Sequence, residues 1–148
     1  MSKQSSRRSS LFLLELIAAI FFFSLASAVC VRFFVKSHTI SQDTKNLDMA
    51  VNQASTFAEL FRSGDDLFPL LEKEYSAGKL SPDKTTYTIY YDKNWELCPV
   101  ADAVFSLTIE QTTDGHISSG SFVVEEIKGN KEIYNLEAQK YIQEEGWN

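Results

Sequence analysis

Few side chains in this 148-residue chain could do chemistry near neutral pH. His38 and His116 are its two histidines and Cys30 and Cys98 its two cysteines, the residue types that supply bases, nucleophiles and metal ligands. No H-E-x-x-H, C-x-x-C, G-x-S-x-G or phosphate-loop pattern surrounds them. His38 and His116 therefore read as solvated surface residues and Cys98 as a small buried apolar side chain. The adjacent carboxylates Asp65 and Asp66 could meet a hard cation, but no oxygen-rich ligand loop encloses them, and they read as a solvated helix end. Glu15 stands apart. It is the one charge among the 21 residues LFLLELIAAIFFFSLASAVCV, positions 11–31. An ionised carboxylate at the centre of a bilayer costs about 2.5–3.5 kcal/mol on insertion scales, and such acids are functional by default. The chemistry open to Glu15 is electrostatic: it needs a cation, or it must lie one turn from the interface, where a helix N-terminus favours negative charge.

The element that must position Glu15 is the apolar run itself. With neither Gly nor Pro, residues 11–31 reach about 31 Å as a helix, the thickness of a bilayer's hydrocarbon core. Before them, residues 1–10 hold Lys3, Arg7 and Arg8 and no acid, whereas residues 32–148 hold 11 basic and 19 acidic side chains, a net charge of −8. A short basic head stays in the cytoplasm, which places the acidic bulk outside. A basic head before an apolar run also describes a secretory signal peptide. Ala26 and Ala28 form an A-x-A pattern compatible with cleavage after Ala28, and Cys30 lies nearby as if for lipidation. Against these readings, an acid is unusual in a signal-peptide core, and Val29 is larger than the small residue lipoprotein processing prefers.

The string Arg8-Ser9-Ser10-Leu11-Phe12-Leu13-Leu14-Glu15-Leu16-Ile17 resembles the N-terminal signal of type IV prepilins and type II secretion pseudopilins. That signal has a short basic leader, a small residue at the cut, four apolar residues, a Glu, and about 15 further apolar residues. The resemblance implies a prepilin peptidase cutting between Ser10 and Leu11 on the cytoplasmic side, with N-methylation of Leu11 often following. It also implies that Glu15, fifth in the mature chain, pairs with the terminal amine of a neighbouring subunit. Ser10 stands where Gly is usual, and Leu11 where Phe or Met is usual. The strong part of the likeness covers about 25 residues.

The rest of the layout follows from pattern. No Gly or Pro interrupts residues 33–63, so the helix is expected to continue over 32–62. Leu47, Val51, Ala54, Ala58 and Phe61 recur at spacings of 4, 3, 4 and 3, which marks one apolar face. Gly64, Asp65 and Asp66 end it, and FPLLEKEYSAGKLSPD reads as a short helix or irregular connection. Strands follow. Tyr87, Ile89 and Tyr91 share a face, and Asp92-Lys93-Asn94 suits a turn into a strand over 95–98. Residues 104–112 and 117–127 form a hairpin across Asp114-Gly115, expected as a type I′ turn. The tail could be strand, with Tyr134, Leu136 and Ala138 alternating, or helix through Ile133, Leu136 and Lys140; a strand with a frayed end is the expected form.

The expectation is an α+β protein: a leader over 1–10, removed; a transmembrane helix over 11–31; its amphipathic continuation over 32–62; and an extracytoplasmic domain over 63–148. There a small antiparallel sheet of four or five strands packs on residues 45–62. Residues 32–148 repel phosphate overall and show no basic cluster, so direct nucleic-acid binding is not expected. Neither are catalysis, a cofactor, a metal or a small-molecule substrate. The partners expected are other pilin-like subunits, a prepilin peptidase and the membrane, in a pilus, secretion or related filament. The alternative is a monomeric single-pass binding or sensor protein that keeps its basic head.

Overall fold

The computed structural model describes residues 3–64 and 66–142. The chain divides into two units, Met1–Thr44 and Lys45–Asn148, and α1, Lys3–Ser63, contributes to both. With no Gly or Pro before Gly64, nothing breaks its backbone ladder. The Gly64 N–H closes the last turn on the Leu60 carbonyl at 3.1 Å. The expected role of Asp65 in ending the helix lies outside the described residues, as does the expected frayed end beyond Ile142. A second helix, α2, Leu67–Glu74, carries Pro69 in its first turn, where a missing N–H breaks no intrahelical bond.

Five strands follow: β1 Lys79–Leu80, β2 Thr86–Tyr91, β3 Phe105–Asp114, β4 Ile117–Glu126 and β5 Lys131–Tyr141. They form one antiparallel sheet in chain order. Register brings apolar side chains into rows across its inner face, Tyr87–Ile109–Phe122–Leu136 and Ile89–Leu107–Val124–Tyr134. The opposite face presents Thr86, Thr108, Glu110, Ser119, Ser121 and Glu137, so each strand alternates as a half-buried antiparallel sheet requires.

The last four turns of α1 cover the inner face. The buried line is Ala50, Ala54, Phe57, Ala58 and Phe61; Leu47, expected on this face, is 42 % exposed, and Val51 is half-buried. Hydrogen bonds set this rotation. Trp95 Nε1 donates to Asn46 Oδ1 at 3.3 Å and the Tyr91 hydroxyl donates to Gln53 Oε1 at 3.1 Å. Ala50 lies four residues after Asn46 and three before Gln53, between them on one helical face, so it is the residue turned inward. At the other end Phe61 meets Phe122 edge-to-face, with ring centroids 6.0 Å apart. Gly120 makes this approach possible, because a Cβ there would lie 3.3 Å from the Phe61 ring and 3.1 Å from Phe122. Lys140 crosses the Phe61 ring at 4.8 Å and donates to the Gly64 carbonyl, where the helix C-terminus favours a cation.

Two expected elements differ. Residues 95–98 form no strand: Trp95 adopts φ 65°, and the Asp92 carboxylate accepts the N–H groups of Asn94 and Glu96 at 2.8 and 3.0 Å. Only Tyr91 and Leu97 pair. This tight turn lays the Trp95 indole on Phe105, with centroids 4.3 Å apart and planes at 11°. The β3–β4 turn is not type I′. Asp114 pairs with Ile117, leaving Gly115 and His116 as the loop, and φ is positive at Gly115 (58°) but not at His116. Positive φ at the first loop residue alone is the type II′ requirement, and His116 has a Cβ that disfavours the left-handed region. The tail is strand β5, as expected, because β4 would otherwise leave an edge of ten residues unpaired.

Phe61→Ala removes the ring that fills the space over Gly120 and under Lys140; it should destabilise residues 45–148 by about 3–5 kcal/mol, read as a lower urea midpoint in circular dichroism. A pH effect is also expected. Burial, and secondarily Tyr75, pushes the Tyr91 hydroxyl above its ordinary value of 10.0, and burial and Glu72 push Tyr87 the same way. A raised folded-state value favours the protonated form in the fold. This contribution is therefore complete below about pH 10 and is lost as pH rises through the folded value. The urea midpoint should be flat from about pH 7 to 9 and fall above about pH 10. Tyr91→Phe should be less stable at pH 8 by about 0.5–1.5 kcal/mol, with a shallower alkaline fall.

Candidate functional site

Ser10, Leu11 and Glu15 all lie exposed on α1. The bond between Ser10 and Leu11 is inside the helix, so the expected cleavage there would require this turn to unwind to an extended backbone. Glu15 is four residues after Leu11 and shares its face. Its other neighbours one turn away are Phe12, Ala18 and Ala19, none of which offers a hydrogen. Arg8 is two turns distant, about 10 Å along the axis. Among the described residues Glu15 has no hydrogen-bond or ion-pair partner.

The surroundings of Glu15 are apolar on every side. Leu11, Phe12, Leu13 and Leu14 are consecutive, as are Ile20, Phe21, Phe22 and Phe23, and all eight are exposed. Four successive residues turn through the whole circumference of a helix, so no face is polar. A helix apolar all round belongs in a large core or a membrane, and none of this segment is buried within the chain. Among the described residues there is thus one helix, near the N-terminus, long and apolar enough to cross a bilayer. The Ser24 hydroxyl bonds to the Ile20 carbonyl at 2.9 Å, which removes a polar cost that Glu15 cannot avoid.

The exposed apolar surface continues beyond the predicted end of the span. After Arg32 come Phe33, Phe34 and Val35, exposed by 69, 81 and 62 %, and then Lys36. By sequence the run ends at Val31, because Arg32 interrupts it. The signal was three apolar residues directly after that cation on an unbroken helix.

The other candidates stand apart from Glu15 in character. Cys30 is exposed on α1, Cys98 is buried, and both are free thiols. Burial, and to a lesser extent Asp92 and Asp102, pushes the Cys98 thiol up, away from the thiolate form that reacts. His38 is exposed on α1, and the exposed His116 ring lies against Tyr141 with centroids 5.8 Å apart. Asp66 is exposed at the start of α2 with no capping bond from its side chain, and Asp65 lies outside the described residues. Among the described residues no three His, Cys, Asp or Glu converge as a metal site. A shallow hollow of about 360 Å³ on the outer sheet face is lined by Glu110, Ser121 and Glu137. These three are cross-strand partners in successive strands, so the two carboxylates sit on backbones about 10 Å apart. Among the described residues no hydrogen bond joins the two carboxyl groups. A second hollow of about 200 Å³ lies between Tyr75, Ile89 and Leu97 and brings in one acid, Glu74.

The chain was compared with protein-family models, curated proteins and solved structures, and it matches none of them.

Proposed function

We propose that this chain is a structural, non-enzymatic subunit of the type IV pilin or type II secretion pseudopilin kind, working in a pilus, secretion or related filament. One observation carries the reading: among the described residues Glu15 is an unpartnered carboxylate, one turn after Leu11, in a segment of α1 that is apolar on every face. A prepilin peptidase cutting between Ser10 and Leu11 would create an amine at Leu11. In a single chain that amine and Glu15 share one helix face; between chains, the amine of one subunit meets the Glu15 of the next. Two opposite charges then relieve each other's desolvation, and association supplies what the isolated helix lacks. The basic head, with Lys3, Arg7 and Arg8, favours a cytoplasmic N-terminus, leaving the acidic β-rich unit extracytoplasmic in a single-pass protein and, after assembly, in a surface filament. The resemblance of residues 8–17 to prepilin signals supports the reading, as does an α+β unit built on the end of the same helix.

The partners proposed are other pilin-like subunits, the peptidase and the membrane, with neither nucleic acid nor a small molecule bound directly. The intact mass of the protein, made with and without a prepilin peptidase, should show loss of residues 1–10 only when the peptidase is present. An unchanged full-length mass would favour the monomeric anchored binding or sensor protein, and a start at Val29 a secreted one. Glu15→Gln should insert in the membrane as well as the native chain. It leaves the partner amine unpaired, a loss worth about 3–5 kcal/mol in a buried pair, so recovery of cross-linked subunit complexes should fall by at least about tenfold.

A further inference from the structure

The apolar surface of α1 is longer than a bilayer is thick, and its charges decide which part is immersed. Residues 11–35 rise about 37 Å against roughly 30 Å of hydrocarbon, so about 20 residues fit at a time and two placements compete. A slab over 11–31 immerses Glu15 some four residues deep and leaves Phe33, Phe34 and Val35 in water. A slab over 16–35 immerses those three and moves Glu15 to the inner boundary. The apolar exchange is nearly even, since Leu11, Phe12, Leu13 and Leu14 pass only as far as the interface. What differs is the charge carried inside. In the first placement it is Glu15, whose short side chain cannot reach the headgroups. In the second it is Arg32, three residues and about 4.5 Å inside the outer boundary, whose long stem lies along apolar surface while its guanidinium reaches phosphate. Lys36 is four residues on, shares the Arg32 face and falls at headgroup level. Both are exposed, as are Phe33 and Phe34, so nothing in the chain competes with lipid for them.

We infer that in the unassembled subunit the bilayer covers residues 16–35. Glu15 sits at the inner interface, and Phe33, Phe34 and Val35 lie in the outer leaflet beneath a rim of Arg32 and Lys36. This rests on the reading of α1 as a membrane anchor and goes beyond it by assigning the lipid contact and its depth. Pairing of Glu15 with an amine removes the reason for this seating, so an assembled subunit is free to sit about 7 Å further out, a shift of four to five residues.

The test is a depth profile. Single cysteines stepped through residues 12–36 of the full chain, with Cys30→Ala and Cys98→Ala, carry a nitroxide in dilute phosphatidylethanolamine–phosphatidylglycerol vesicles. Collision with oxygen against a water-soluble nickel chelate locates the deepest position. The expected centre is near Leu25 and Ala26, and Glu15→Leu should move it back toward Phe21. A native centre at Phe21 overturns the inference and leaves the anchor standing. A centre near Leu25 that ignores Glu15→Leu overturns the role given to Glu15. Nickel-accessible labels throughout would overturn the inference and the anchor together.

Discussion

Where α1 crosses the inner face of the sheet, contact is made by Ala50, Ala54 and Ala58 with Phe57 and Phe61 between and beyond them. The alanines let the helix backbone come close, and the two rings fill the space that closeness leaves over Leu107, Ile109, Phe122 and Val124. These four are themselves 0 % exposed. A sheet with one apolar face has no stable existence without such a cover. The other parts of residues 45–148 are arranged around this contact. Gly120 gives up a side chain to admit Phe61, and Tyr87 turns its hydroxyl to the Tyr75 carbonyl at 2.8 Å, tying the end of α2 to the sheet.

Polar groups fix the position of the helix that apolar packing alone would leave loose. Dispersion contacts tolerate small rotations of a helix on a sheet, whereas a buried donor without an acceptor is costly. Trp95 and Tyr91 each satisfy a buried ring's polar atom on α1, through Asn46 and Gln53, and Lys140 does the same at the C-terminal carbonyls. Lys140 also bears on β5, the long edge of the sheet. A Lys on the core-facing side of an edge strand, together with the register shift opposite Val124 and Glu125, makes that edge a poor template for strand pairing.

Alternation of period two made four of the five strands readable, through Tyr87, Ile89 and Tyr91 in one and Phe105, Leu107 and Ile109 in another; β1, Lys79–Leu80, is too short to alternate and falls in a stretch that reads as a short helix or irregular connection. The absence of Gly and Pro from the first 63 residues made the continuous helix readable in the same way. Glu15 stands out in the sequence as the one charge in residues 11–31, whereas Ser10 and Leu11 are marked only by the resemblance of residues 8–17 to prepilin signals. The turn type at Gly115 depends on the pairing of Asp114 with Ile117, and at Trp95, where the pattern predicts a strand, a turn serves an aromatic stack. Both depend on partners remote in sequence.

Pattern along the chain therefore determined the long helix and strands β2 to β5, and that this helix is apolar enough for a membrane, since these follow from local sterics and from how many apolar residues occur in a row. Ala54, Ala58 and Phe61 are buried as the spacing predicts, and tertiary structure alone decided how that face is rotated toward its N-terminal end, where Ala50 is buried. Leu47 and Val51 are larger and more apolar than Ala50, and a hydrophobic pattern ranks them first. Ala50 is the one turned inward because two hydrogen bonds and a close helix–sheet approach select for position and size rather than hydrophobicity.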